Sequence, residues 1–115
     1  MKRKVKVLFK PVGKPTEILY IEGESSDDFW REIKNLVGCD CLELVQLKRN
    51  YGELCFYVDE EEMYNSGLNI ENVDLGLVIH GNIVMARGTV SHGEITYENI
   101  TDDDINVARK IVKEK

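Results

Sequence analysis

Residues 36–84, LVGCDCLELVQLKRNYGELCFYVDEEEMYNSGLNIENVDLGLVIHGNIV, decide the fold that this sequence predicts. Two apolar runs, at 41–48 and 53–58, flank Asn50-Tyr51-Gly52, a turn sequence typical of a β-hairpin. A polar segment from residue 59 to about residue 72 follows, and Asp59 is placed to cap a short helix within it. Residues 75–87 then hold two short apolar runs, which form either one bulged strand or two strands around a tight turn. The stretch therefore predicts a sheet made mainly of antiparallel strands.

The residues before this stretch predict a second hairpin. Charged and apolar side chains alternate over 3–9 and again over 16–22, as in strands with one buried face. Pro11, Gly13 and Pro15 lie between the two runs and indicate a turn of about five residues.

Two segments carry helix signals, and a short strand is expected at 94–97. Ser25 or Ser26 can cap a helix over about 27–37, whose apolar residues recur at helical spacing and which Gly38 can end. Thr101, followed by three aspartates, starts a second helix over about 102–113. We expect one α+β domain over residues 1–115, with a mainly antiparallel sheet of about five or six strands and two helices on one face.

Charge is distributed unevenly along the chain. The formal net charge is −6, yet residues 2–14 hold six basic residues and no acid, which leaves nine basic and 21 acidic residues elsewhere. A largely acidic body disfavours binding to duplex nucleic acid, because attraction to phosphate needs a basic face. The N-terminus lacks the apolar core of a signal peptide, and no apolar run reaches the length of a membrane span. We therefore expect a cytoplasmic protein without a membrane partner.

Few residues in the sequence have the spacing that a catalytic site or a metal site requires. Cys39 and Cys41 are too close for the usual structural zinc spacing, so they and Cys55 are expected to be small buried side chains, with a thiolate metal site as the minor alternative. The acids at 59–62 share one solvated environment instead of the two unequal ones that acid–base catalysis requires. Ser91 and His92 are neighbours without a fixed acid beside them. We expect no cofactor, no metal and no catalytic residue.

Several short motifs resemble a family of small proteins of unknown function carried by phages and other mobile elements of bacteria. Family members show a Leu-Val-Gly-Gly turn, a strand ending in Asp-Glu-Glu-Gly, a Gly-Leu-Pro-x-Asn segment and a Gly-Asn-Val-Val strand. The corresponding positions here are 36–39, 59–62, 67–72 and 81–84. Cys39, Glu62 and Asn69 replace the family's Gly, Gly and Pro. The family Asn corresponds to Glu71 or, one place on, to Asn72.

The resemblance implies an accessory protein that acts by binding, and two kinds of partner remain open. One version is counter-defence by sequestering a nucleotide immune signal, and the other is capture of a host protein. A small enzyme acting on a nucleotide and a structural or assembly protein are the alternatives, and a homo-oligomer is possible. The acidic body favours a protein partner, whereas the basic N-terminal hairpin favours an anionic nucleotide. The candidate ligand-binding residues are Lys4, Lys6, Lys48, Arg49, Tyr51, Asn69, Asn72, His80 and Asn82.

Overall fold

The computed structural model describes residues 2–38, 41–45, 54–59, 67–73, 76–91 and 94–112, and within them the chain forms eight strands and two helices. In chain order these are β1 (Arg3–Lys10), β2 (Glu17–Gly23), α1 (Ser26–Val37), β3 (Leu42–Val45), β4 (Leu54–Asp59), β5 (Leu68–Asn72), β6 (Leu77–His80), β7 (Ile83–Ser91), β8 (Glu94–Glu98) and α2 (Asp102–Val112). The α+β class, the two helices and the mainly antiparallel sheet are confirmed. Neither described helix is long and apolar enough to cross a membrane.

Strand β7 organises the larger sheet. The strand order is β2-β1-β7-β4-β3, and β5 and β6 form a separate two-stranded sheet. Along one edge of β7, Ile83–Met85 pair with β1 and Arg87–Ser91 pair with β8, while the other edge pairs with β4. Beyond β8, the N–H of Ile100 donates to the carbonyl of Lys6 at 3.1 Å. Along this edge of β7, the neighbouring strand therefore changes from β1 to β8.

The central strands are apolar on both faces, and each face has its own core. In β4, Phe56 belongs to one buried cluster and Tyr57 to the other, and in β7 Met85 and Val84 are divided in the same way. Because successive strand residues point to opposite faces, the two clusters lie on opposite sides of the sheet. The buried residues of α1 join the Tyr57 cluster, and those of α2 join the Phe56 cluster together with residues of β5 and β6.

The expected placement of both helices on one face is therefore wrong. Strands that are buried on both faces need a cover on each side, since otherwise one apolar face would remain in water. Helix α1 covers one face, and α2 with the β5–β6 hairpin covers the other.

Local sequence explains both ends of α1. The hydroxyl of Ser25 accepts from the N–H of Asp28 while the Asp28 carboxylate accepts from the N–H of Ser25, which is a capping box. The same carboxylate accepts from the N–H of Glu24 at 2.8 Å, and these hydrogen bonds hold the pKa of Asp28 below its usual value. Gly38 adopts the left-handed conformation with φ of 78° and donates to the carbonyl of Lys34, as predicted.

Helix α2 also begins with a capping box, and the carboxylate of this one is buried. The N–H of Asp104 donates to the Thr101 hydroxyl, and the N–H of Thr101 donates to the Asp104 carboxylate. Asp104 is buried, and its carboxylate lies 3.2 Å from the Nε atom of Arg87 on β7. This ion pair fixes the first turn of α2 on the sheet.

The structure differs from two expectations for the middle of the chain. The polar segment expected to reach residue 72 contains strand β5, and Asp59 is the last residue of β4, while residues 60–66 lie outside the described part of the chain. Residues 77–91 form two strands around Gly81, whose φ is 82°, but these strands belong to different sheets and do not pair with each other. A left-handed residue at Gly81 redirects the chain from one sheet to the other.

Candidate binding groove

An open groove of about 240 Å³ lies at the seam between the two sheets. One wall comes from β3 and β4 at the edge of the larger sheet, and the other from β6 of the smaller sheet. Its lining residues are Glu43, Val45, Val58, Asp59, Leu77, Val78, Ile79 and His80. We call this feature the β3–β6 groove.

The floor of the β3–β6 groove is apolar because core residues of both sheets reach it. Val58, Leu77 and Ile79 are all buried and belong to the core cluster on the α2 side of the sheet. Val45 packs against the same cluster, and Val78 is 59% exposed. Apolar side chains of a ligand would therefore meet apolar residues from both sheets.

Polar groups lie around this floor. Glu43 on β3 is exposed, Asp59 ends β4 and His80 ends β6. Two carboxylates accept hydrogen bonds and attract cations, and an imidazole can donate or accept. The groove therefore combines an apolar floor with a negatively charged rim. Of the candidate residues named from sequence, His80 lies here.

Three asparagines among the candidate residues serve the internal architecture. The amide nitrogen of Asn69 donates to the carbonyls of Lys10 and Gly81 at 2.9 and 2.7 Å. The side-chain oxygen of Asn82 accepts from the N–H of Val12 at 3.1 Å. These hydrogen bonds tie the end of β1 to the β5–β6 hairpin.

The third asparagine, Asn72, is buried and donates from Nδ2 to the carbonyl of Ile111 at 3.0 Å, which joins β5 to the last turn of α2. Ligand binding by these three side chains stays a prediction. The contacts that the structure gives them are contacts within the protein.

The two basic candidates that the structure describes, Lys4 and Lys6, both lie on β1. Lys4 is exposed and lies 3.5 Å from the carboxylate of Glu22, and Lys6 is half-buried. Lys48, Arg49 and Tyr51 lie outside the described residues. In the sequence these three lie between β3 and β4, and both of those strands lie on the far side of β7 from β1.

Potential metal ligands do not cluster in the residues described. Among those residues, no group of three or more His, Cys, Asp or Glu side chains is placed to hold a metal ion. Cys41 is exposed, contrary to the expected burial, whereas Cys55 is half-buried. Cys41 lies just before β3, which is a terminal strand of the larger sheet. Cys39 and His92 lie outside the described residues.

A buried aromatic cluster lies between α1 and the sheet. The Tyr57 ring lies 6.3 Å from the Tyr97 ring and 5.8 Å from the Trp30 ring. Among the described residues, no group forms a hydrogen bond of ordinary geometry with the Tyr57 hydroxyl. Burial, with the neighbouring Tyr97 hydroxyl, raises the pKa of Tyr57 far above its usual value, and burial also raises the pKa of Tyr97. Both phenols are therefore neutral core groups, and sequence alone did not single them out.

Comparisons with known proteins show the fold. No family model matches the chain, and no curated protein matches it. Among solved structures, the chain is similar to part of the crystal structure of the small RNA methyltransferase HEN1, with a TM-score of 0.64 at 14% sequence identity. The match covers 90% of this chain and 16% of that one. It shows that this α+β arrangement also occurs as a small part of a much larger protein.

Proposed function

We propose that this chain is a non-catalytic accessory protein of a phage or other mobile element, and that it acts in the bacterial cytoplasm by binding a host protein. The β3–β6 groove is the proposed contact site. The observation that carries the proposal is the combination of an apolar floor with the carboxylates of Glu43 and Asp59 at one seam of the fold. The resemblance to mobile-element proteins supports the biological setting.

The size of the groove supports a protein partner over a nucleotide. Pockets that enclose a small ligand usually measure at least about 300 Å³ and cover most of the ligand surface. The β3–β6 groove is smaller, at about 240 Å³, and open to solvent. It suits one or two side chains projecting from a larger surface, which is how protein partners anchor in one another.

The charge of the groove supports the same partner. Among the lining residues that the structure describes, Glu43 and Asp59 are acidic and none is Lys or Arg. A phosphate would be repelled by this rim, whereas an apolar segment with a Lys or Arg would find both an apolar floor and opposite charge. The proposed partner surface is therefore apolar at its centre and basic beside it.

Differential capture from bacterial lysate tests this proposal. The tagged wild-type chain, Glu43→Lys and His80→Ala are compared with Glu71→Lys, which reverses an exposed charge on β5 outside the groove. Circular dichroism confirms that all four are folded. A host protein retained by the wild type and Glu71→Lys but lost from both groove variants supports the proposal. Equal capture by all four chains contradicts it.

Sequestration of a nucleotide signal is the second candidate, and one observation favours it. Lys6 of β1 pairs directly with Tyr20 of β2, and Tyr20 is 63% exposed, so a cation and an aromatic ring adjoin on one sheet surface. Such a pair suits a phosphate and a base. Heating the purified protein and analysing the released material by chromatography tests this candidate. Intact nucleotide lost from Tyr20→Ala would favour sequestration over the groove, and steady turnover of added nucleotide would instead show an enzyme.

A further inference from the structure

Strand β2 is a terminal strand of the larger sheet in the described part of the chain, and no described strand pairs with its outer edge. All seven of its residues pair with β1 without a bulge. Natural edge strands are commonly protected by proline, by charged side chains and especially lysine, by a bulge or by very short length. Glu17–Gly23 is seven residues long and has no proline, lysine or bulge, and its charged residues are Glu17 and Glu22.

The surface beside this edge is apolar where a solvent-facing strand is normally polar. Ile18 is 44% exposed and Tyr20 is 63% exposed, and the two lie on the same face of β2. On the opposite face, Ile21 is buried in the cluster that α1 covers. The exposed side chains therefore lie on the surface that α1 leaves open.

We propose that two copies of this chain associate through β2, with the strands antiparallel across a two-fold axis at Leu19. In this register Ile18 of one copy lies opposite Tyr20 of the partner subunit, and symmetry repeats that pair. Antiparallel pairing of two identical strands is the arrangement that a two-fold axis produces. Aromatic and β-branched residues that face each other across strands are favourable pairs.

Charge placement in the same register favours a second copy as the occupant. Glu17 would face Ile21 of the partner subunit, and Glu22 would face Thr16 of the partner subunit, so no carboxylate faces another. Glu17 and Glu22 also point to opposite faces of the sheet, because their positions differ by an odd number. Their negative charges are therefore separated although the strand carries no basic residue.

The pairing would extend the six-stranded sheet into one that is continuous across two copies. The exposed Ile18 and Tyr20 side chains would be covered from the sides by their counterparts, and the outer backbone groups of β2 would find hydrogen-bond partners. This interface lies on the opposite edge of the sheet from β3, so it leaves the β3–β6 groove accessible.

Light scattering coupled to size-exclusion chromatography tests the assembly. We expect the wild type to be a dimer, and Tyr20→Lys and Ile18→Lys to be monomers with unchanged circular dichroism. Val78→Lys is the matched control, since Val78 is a similarly exposed apolar residue on β6, and it should remain dimeric. A wild-type monomer at the highest soluble concentration overturns the proposal, as does a dimer that survives both β2 substitutions.

Cross-linking tests the register. Chains carrying Ile18→Cys are mixed with chains carrying Tyr20→Cys under oxidising conditions, and the disulfides are mapped by peptide mass spectrometry. A disulfide between the two introduced cysteines is expected in the mixture, because directly opposite strand residues lie within reach of a disulfide. A dimer in which this disulfide does not form would show that the copies associate elsewhere.

Discussion

The Nε atom of Arg87 on β7 lies 3.2 Å from the Asp104 carboxylate at the first turn of α2, and Asp104 is buried. The same carboxylate accepts a hydrogen bond from the N–H of Thr101. One side chain therefore both caps the helix and binds it to the central strand of the sheet.

Asp104→Ala should lower the free energy of unfolding by about 3 kcal/mol, because it leaves Arg87 without this partner and removes the cap. Urea unfolding followed by circular dichroism measures the change. Asp102→Ala, which removes an exposed carboxylate from the same turn, is the control and should cost much less. Similar losses for the two variants would show that the ion pair contributes little.

Asn72→Ala should destabilise the protein by about 1–2 kcal/mol, since the buried carbonyl of Ile111 loses its amide donor. The effect should be local as well as global. Hydrogen exchange should accelerate in β5 and in the last turn of α2 more than in β1. Uniform acceleration throughout the chain would contradict the assignment of Asn72 as the link between these two elements.

The lowered pKa of Asp28 predicts a loss of stability in acid. A carboxyl group whose pKa is lower in the folded state stabilises the protein above its unfolded-state pKa of 3.8, and that contribution is lost as the pH falls through the folded-state pKa. Urea unfolding from neutral pH to about pH 2 should therefore show a smaller acid-dependent loss for Asp28→Asn than for the wild type. Identical pH profiles would show that the carboxylate of Asp28 does not contribute.

Tyr57→Phe should leave stability at neutral pH unchanged within about 0.5 kcal/mol, or increase it, because no described group forms a hydrogen bond of ordinary geometry with the buried hydroxyl. At alkaline pH the variant should be the more stable protein. The raised pKa of Tyr57 means that the unfolded chain ionises first, so the wild type loses stability as the pH rises above about 10. A clear loss of stability for Tyr57→Phe at neutral pH would reveal a hydrogen bond.

Local interactions were predictable from sequence, and this explains which parts of the fold were anticipated. The Ser25 and Thr101 caps and the Gly38 terminus depend on residues three or four positions apart, so their patterns are visible in the chain. Strand β5 was missed because LNIEN is mostly polar and directs Ile70 and Asn72 inward. A buried asparagine gives no signal of alternating hydrophobicity.

The features that the sequence did not predict depend on contacts between residues far apart in the chain. Asn82 contacts Val12 across 70 positions, and Asn69 contacts Lys10 across 59, so no local pattern indicates that these amides serve the architecture. His80 was a candidate before its surroundings were known. Its place in the β3–β6 groove depends on how the β5–β6 hairpin packs against β3 and β4, which is tertiary information.

The position of β7 has a consequence for how the protein is made. Both hairpins that precede it, β1–β2 and β3–β4, join the sheet through β7, which begins at Ile83. A ribosome must therefore release the chain as far as β7 before the two hairpins can be joined. During that interval the apolar faces of both hairpins are without their central strand, and chaperones that bind extended apolar segments have their best opportunity to engage the nascent chain.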